Sequence, residues 1–211
     1  MIKNTIKVLA AACVALISIV SFTACSNDDD NDNKPSKKEA TEATVMAEVY
    51  TTAFTLKYFK VEATDASGNT VELTTQNTTE AAAFPKVYKM TADLNPSANG
   101  DKLLKYSFGK ETFKSFPKSM TYTATITARD QKPADGEKII VTAVPVLTLA
   151  NNAAGGSAWS VSNQQLSLNL TTISASSWDK YVASFPRKVN TVDLTFNSAS
   201  AYEISGLHTS K

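Results

Sequence analysis

The sequence predicts an all-β protein, largely an antiparallel β-sandwich, immunoglobulin-like or similar, with one or more short helices. Three observations support this prediction. Several segments alternate between apolar and polar residues, their polar positions are rich in threonine, and helical periodicity is convincing in a single segment. Alternation with a period of two indicates a strand with one buried and one solvated face, and such strands belong to antiparallel sheets.

Residues 119–128 alternate most clearly. Each residue between the apolar ones is a threonine, and the apolar positions are Met120, Tyr122, Ala124, Ile126 and Ala128. Residues 88–94 and 191–196 alternate in the same way. Threonine suits the exposed side of a pleated sheet, so each segment is predicted to be a strand with one wet face.

Residues 54–63 are less regular. Phe54, Leu56 and Tyr58 share one phase, and the apolar residues that follow take the opposite one. This change of phase predicts a β-bulge or bend near Tyr58. Residues 65–69 then contain Asp, Ser, Gly and Asn, which favour a turn, so residues 71–75 are predicted to return as the second strand of a hairpin.

Residues 139–149 are apolar on both faces, which is typical of a central strand. Pro145 lies inside this segment, and a proline cannot donate to a ladder of hydrogen bonds. We therefore expect either an edge position or a kink at Pro145. Leucines at alternate positions predict a further strand at residues 166–170.

The convincing helix begins near Ser177, which is predicted to be its N-cap. The apolar residues Trp178, Tyr181, Val182 and Phe185 follow at helical spacing, and Pro186 ends the helix.

A Phe-Pro-Lys/Arg sequence occurs at residues 84–86, 116–118 and 185–187. Each copy follows a segment predicted to form a helical turn and precedes an alternating strand. A packing corner accounts for this pattern, and a repeated ligand-contacting corner is the functional alternative.

The N-terminus differs in composition from the rest of the chain. Lys3 and Lys7 precede an uncharged apolar stretch at residues 8–22. This stretch has roughly 15 residues, whereas a membrane-spanning helix needs about 20. A basic start, a short apolar stretch and small residues predict a secretory signal peptide over residues 1–24. An uncleaved membrane anchor is the alternative.

Residues 22–25, Phe-Thr-Ala-Cys, resemble the lipobox of bacterial lipoproteins, with Phe22 where leucine is usual. The resemblance implies cleavage after Ala24 and attachment of lipid, such as palmitate, to Cys25. The other cysteine, Cys13, would leave with the signal peptide. Cleavage would also remove two lysines and no acids, which changes the formal net charge from +1 to −1.

An acidic segment follows at once: Ser26, Asn27, Asp28, Asp29 and Asp30. It resembles the export signal of surface lipoproteins in Bacteroidota-type bacteria, which implies transfer to the outer face of the outer membrane. A solvated linker on a periplasmic lipoprotein is the alternative. Residues 25–44 are then predicted to form a lipidated flexible tether, and residues 45–211 the domain, with a division near residues 151–157 as the alternative.

The domain contains few groups for catalysis or cofactor binding. His208 is the single histidine and lies close to a C-terminus that we expect to fray, which makes a catalytic triad implausible. The sequence has no nucleotide-binding motif, and from residue 45 its charges nearly balance. We expect no metal, no cofactor and no nucleic acid. Alternating oxygen ligands at residues 93–101 resemble a calcium loop, but a plain turn explains them better.

Trp159 lies in a glycine-rich segment and is a candidate for stacking on a sugar, with core packing as the commoner fate of tryptophan. The sequence therefore predicts a non-enzymatic, lipid-anchored surface protein that binds a glycan, a host or envelope protein, or a partner in an uptake complex. One alternative is an envelope or fimbria-like assembly subunit. The other is an extracellular hydrolase that uses a pair of carboxylates, which one sequence does not exclude because their proximity is tertiary.

Overall fold

The computed structural model describes residues 39–84, 96–153, 158–159, 171–184 and 187–210. Within these residues the helices are α1 (Ala53–Tyr58) and α2 (Trp178–Ser184). The described strands are β1 (Ala43–Thr52), β2 (Phe59–Thr64), β3 (Thr70–Glu72), β4 (Thr79–Glu80), β5 (Leu103–Phe113), β6 (Lys118–Ala128), β7 (Lys138–Val141), β8 (Ala143–Asn151), β9 (Ala158–Trp159), β10 (Thr171–Ser174), β11 (Arg187–Phe196) and β12 (Tyr202–Ser210).

The described strands form two five-stranded sheets and one pair. Sheet A has the order β4-β5-β1-β8-β9, sheet B has the order β12-β11-β6-β2-β3, and β10 pairs with β7. Every pairing among them is antiparallel. The two sheets pack face to face, so the predicted antiparallel β-sandwich with short helices is confirmed.

Strand alternation places the core between the sheets. Sheet A contributes inward-facing residues from β1 and β8, and sheet B contributes them from β6 and β11. The buried members of this cluster are Ala43, Val45, Ala47, Met120, Tyr122, Leu147, Leu149, Val192, Leu194 and Phe196. The strands predicted at residues 119–128 and 191–196 are therefore confirmed, with their apolar phase inward.

A second core cluster lies where the helices cover the sandwich. The Trp178 ring of α2 packs against Tyr58 and Phe59, with centroid distances of 5.7 and 5.2 Å. Tyr181 of the same helix meets Phe59 edge-on at 6.5 Å. Trp178, Tyr181 and Val182 thus form one apolar face of α2, and this face covers the start of β2 at Phe59.

The bend predicted near Tyr58 is wrong, because residues 53–58 form helix α1 instead. The Thr52 hydroxyl caps the helix by accepting from the Thr55 amide at 3.0 Å, and the Asp101 carboxylate accepts from the Phe54 amide at 2.9 Å. Asp101 is distant in sequence, so local periodicity carried no sign of it. The change of phase marks a helix-to-strand junction.

The apolar run at residues 139–149 is not one strand. It divides at Thr142 into β7, which pairs with β10, and β8, which pairs with β1. The kink expected at Pro145 is wrong, because the register of β8 with β1 continues through Pro145, opposite Val49. As for the alternative edge position, β8 lies between β1 and β9, and β9 pairs with it at Leu149 and Ala150 among the described residues. The run is apolar on both faces because it belongs to two sheets in turn.

The predicted hairpin after residues 65–69 is confirmed, with a turn at Gly68 (φ +85°) and a second strand, β3, that is shorter than expected. Helix α2 is confirmed as well. Its predicted cap is wrong: Ser177 belongs to a 3₁₀ turn, and Ser174 occupies the N-cap position of that turn. The Ser174 amide donates to the Ser177 hydroxyl at 3.2 Å.

The helical turns expected before residues 84 and 116 are wrong, because strands β4 and β5 precede those positions. The expected helix does precede residue 185. The strands predicted at residues 88–94 and 166–170 lie outside the described residues.

The described sandwich has two distinct ends. The N-terminal end contains the start of β1 at Ala43 and the turns at residues 114–117 and 197–201. The helical end contains α1, α2 and the loop at residues 129–137. Strand β6 runs from the first end to the second, and its eleven residues span roughly 30 Å.

Candidate functional site

A cleft of about 570 Å³ lies at the helical end. One wall is the first half of the loop between β6 and β7, and the other is helix α2. The lining residues are Arg129, Asp130, Gln131, Lys132, Trp178, Asp179, Val182 and Ala183. The cleft is shallow and wide open to solvent.

The start of the loop wall is fixed by Arg129. Its backbone amide donates to the Tyr58 carbonyl at 2.9 Å, which continues the contact of β6 with β2. Its guanidinium pairs with Glu72 of β3, with 2.7 Å between Nη2 and Oε1. Arg129 is therefore held by both its backbone and its side chain.

The far end of the loop is fixed by Glu137. Its carboxylate accepts from the Tyr58 hydroxyl at 2.5 Å, from the Ala134 amide at 3.1 Å and from Lys57 Nζ at 3.3 Å. The Tyr58 hydrogen bond, followed by the Ala134 amide and Lys57, holds the pKa of Glu137 below its usual value. The negatively charged carboxylate is thus the form that braces the loop.

The helix wall is mostly apolar at its base. Trp178 is 5% exposed and forms the floor, while Val182 is half-buried and Ala183 is exposed. Asp179 reaches across the cleft to Lys132, with 2.9 Å between Oδ2 and Nζ. This ion pair is largely solvated, so it contributes about 0 to 1 kcal/mol to stability, but it joins the two walls.

The remaining polar side chains are available for a ligand. Asp130 and Gln131 are exposed, and neither forms a hydrogen bond or an ion pair within the described part of the chain. Arg129 binds Glu72 through Nη2 and has further N–H groups in its fork. The cleft thus presents donors and acceptors above an apolar floor.

The buried carboxylates of the domain have structural partners. Glu48, which is 6% exposed, accepts from Lys105 at 2.8 Å and from Tyr50 at 3.1 Å. Asp101 accepts from the amides of Phe54 and Lys102, while burial raises its pKa. These side chains stabilise the fold on elements that do not line the cleft.

A carboxylate pair for hydrolysis is poorly matched by the cleft. Asp130 and Asp179 both line it, but both are exposed, and the Asp179 side chain is 82% exposed and paired with Lys132. In the described residues, no group of three or more histidine, cysteine, aspartate or glutamate side chains is arranged to hold a metal ion.

The lining of the cleft contains none of the site residues that the sequence singles out. Cys25 and the export-signal residues Ser26, Asn27, Asp28, Asp29 and Asp30 lie outside the described residues. Trp159 lies in β9, where its backbone pairs with Leu149 of β8. Its side chain is outside what the structure describes, so its role stays a prediction. The prediction that the chain frays around His208 is wrong, because His208 lies in β12 and its backbone pairs with Thr191 of β11.

Sequence reasoning missed the cleft. The helical spacing predicts that Trp178 is a helix residue, and it carries no sign of a cleft. A loop that begins Arg-Asp-Gln-Lys has the polar side chains of a binding site, but its position beside Trp178 is a tertiary fact.

No family model matches this chain, and neither the curated proteins nor the solved structures include a match. None of the described helices is long and apolar enough to cross a membrane.

Proposed function

We propose that this protein is a lipid-anchored surface protein of the bacterial outer membrane with a non-enzymatic binding role, and that the cleft is its binding site. The observation that supports this most strongly is the position of the cleft. It lies at the helical end, roughly 30 Å along β6 from the end at which β1 begins.

This arrangement suits display from a membrane. The proposed anchor at Cys25 precedes Ala43 by 18 residues, a chain that reaches at most about 60 Å. The tether joins the domain at its N-terminal end, so the cleft faces away from the point of attachment. The segment between Cys25 and Ala43 is rich in polar and acidic residues, a composition that keeps a chain solvated.

A binding role fits the cleft better than hydrolysis. A glycosidase of the common kind uses two carboxyl groups in different environments, one of which keeps its proton because it is shielded from water. Asp130 and Asp179 are both solvated. The polar groups of the cleft can instead orient a ligand, which requires hydrogen bonds but no proton transfer.

An assembly subunit requires an open sheet edge that accepts a partner strand. Strand β12 is an edge of sheet B among the described strands, and its register with β11 shifts between Thr191 and Asp193. A bulge at this place disrupts regular pairing and protects an edge. Residues 106–113 of β5 pair with β1 on one side and with no other described strand, and the exposed charges of Lys110 and Glu111 on this edge disfavour the addition of a partner strand.

The anchor and the address are tested separately in the full chain, expressed in a Bacteroidota-type host. Cys25→Ala should abolish incorporation of labelled palmitate, and the matched control Cys13→Ala should leave it unchanged. Replacing Asp28, Asp29 and Asp30 by alanine should preserve the label but should protect the protein from a protease added to intact cells. Persistent labelling of Cys25→Ala, or surface exposure of the alanine variant, would contradict the corresponding half of the proposal.

A further inference from the structure

We infer that the cleft binds an uncharged sugar, as part of a neutral glycan chain. This inference rests on the proposed binding role and names the chemical class of its ligand. It depends on the charge balance of the cleft, on its hydrogen-bonding groups and on its apolar floor.

The charges of the cleft are compensated within the protein. Lys132 is paired with Asp179, and Arg129 is paired with Glu72 at the rim. Asp130 is the charged group of the lining that has no partner in the described residues. A polyanionic ligand would meet this carboxylate and would have to compete with Asp179 for Lys132 or with Glu72 for Arg129. A neutral ligand leaves both pairs in place.

The hydrogen-bonding groups are mixed in kind. Asp130 accepts, Arg129 donates, and the Gln131 amide does both. A sugar hydroxyl also both donates and accepts, so adjacent hydroxyls on one ring can satisfy such a set. An extended peptide would require a free sheet edge or a regular row of backbone partners, and the loop and helix that form these walls offer neither.

The floor is apolar where the rim is polar. Trp178 is buried beneath the cleft, and the accessible apolar surface along α2 comes from Val182 and Ala183. A pyranose ring has the same division, with C–H groups on its faces and hydroxyls around its edge. The cleft is open to solvent on one side, which suits a ring within a longer chain.

The inference is tested with the chain from Ser26, which contains every described residue and lacks the proposed lipid site. Purified protein is run in native gels that contain mannan, xylan, starch or the polyanion polygalacturonate. We expect at least one neutral polysaccharide to retard the protein, and polygalacturonate to leave its mobility unchanged.

The double substitution Asp130→Ala/Gln131→Ala should weaken the retarding interaction about tenfold. Asp135→Asn is the matched control, because Asp135 is an exposed acid of the same loop that does not line the cleft, and it should bind as the unaltered protein does. A thermal melt of each variant verifies folding. A second variant, Val182→Trp, should alter the affinity for the retarding polysaccharide, because it changes the apolar floor and leaves every polar side chain of the cleft unaltered.

Retardation by none of the neutral polysaccharides, stronger retardation by polygalacturonate, or binding that the double substitution leaves intact would each overturn the inference. These outcomes concern the ligand alone. Palmitate labelling and surface digestion test the anchor and its address independently, so a failure here is distinguishable from a failure of surface display.

Discussion

The Tyr58 hydroxyl donates a hydrogen bond of 2.5 Å to Glu137 Oε2, which joins the last residue of α1 to the end of the loop that walls the cleft. Tyr58 is 1% exposed, and its ring packs against Trp178, the floor of the same cleft. One buried side chain therefore contacts both the floor of the cleft and the far end of the loop that forms one wall, and loss of its hydroxyl should affect stability and cleft geometry together.

Tyr58→Phe should lower the free energy of unfolding by about 1 to 2 kcal/mol, because the Glu137 carboxylate loses its shortest hydrogen bond but keeps the Ala134 amide and Lys57. Urea denaturation measures the change. Tyr106→Phe is the control, since the Tyr106 hydroxyl forms no hydrogen bond within the described residues, and it should stay within about 0.5 kcal/mol. Equal losses in the two variants would contradict the role given to Tyr58.

The contribution of Glu137 should depend on pH. Its pKa in the folded protein is lowered from 4.5, first by the Tyr58 hydroxyl. The stabilisation is therefore fully present above the unfolded pKa and is lost as the pH falls through the lowered value. The stability difference between the unaltered protein and Tyr58→Phe should be largest at neutral pH and should shrink as the pH falls below 4.5. A difference that grows on acidification would show that the hydroxyl acts on another group.

Glu48 lies on the outer face of sheet A between Lys105 and Tyr50. Glu48→Ala should cost about 2 kcal/mol, because it removes a buried carboxylate and leaves two hydrogen-bonding groups without their partner. Chemical denaturation measures the loss, with the exposed Glu203→Ala as the control. A neutral effect of Glu48→Ala would mean that Lys105 and Tyr50 find other partners.

Tyr50 should report the same cluster by titration. Burial, followed by the charge of Glu48 and its hydrogen bond, raises the pKa of Tyr50 to about 12. Its stabilisation is therefore fully present below about pH 10 and is lost as the pH rises towards 12. Glu48→Gln should lower this pKa while burial keeps it above 10. Phenolate absorbance, with Tyr50→Phe subtracted, measures the shift, and an unchanged titration would contradict the coupling.

Asn190 of β11 connects the two sheets, because its Nδ2 donates to the Ala143 carbonyl of β8 at 2.5 Å. The side chain is buried, so Asn190→Ala should destabilise the protein by about 1 to 3 kcal/mol by leaving that carbonyl unsatisfied. The exposed Asn197→Ala is the control and should change stability little. Similar effects of both substitutions on the urea midpoint would exclude a special role for this contact.

Sequence pattern predicted those elements whose stability is set locally. The alternation in β6 and β11 directly specifies a buried and a solvated face, because side chains of a strand point to opposite sides in turn. The spacing of Trp178, Tyr181 and Val182 specifies the buried face of α2 for a similar reason. Both patterns predict the type of element but do not identify the element that packs against it.

The errors occur where a distant residue decides the outcome. Residues 54–58 have the alternating spacing of a strand, but the Asp101 carboxylate, which is 47 positions from Phe54, accepts from the Phe54 amide and favours the helix. The run at residues 139–149 divides because β10 and β1 pair with different parts of it. Such contacts depend on the path of the chain, which no local window contains.

The sequence by itself determined the sandwich class, because the period of apolar residues fixes which faces must be removed from water. Its first 33 residues also supplied the proposed anchor and address, which depend on short linear signals rather than on folding. The tertiary structure alone placed Asp130 and Gln131 beside Trp178, since a cleft is formed by residues that meet in space after the sheets close. The separation of that cleft from the N-terminal end was decided in the same way, by the direction in which β6 crosses the sandwich.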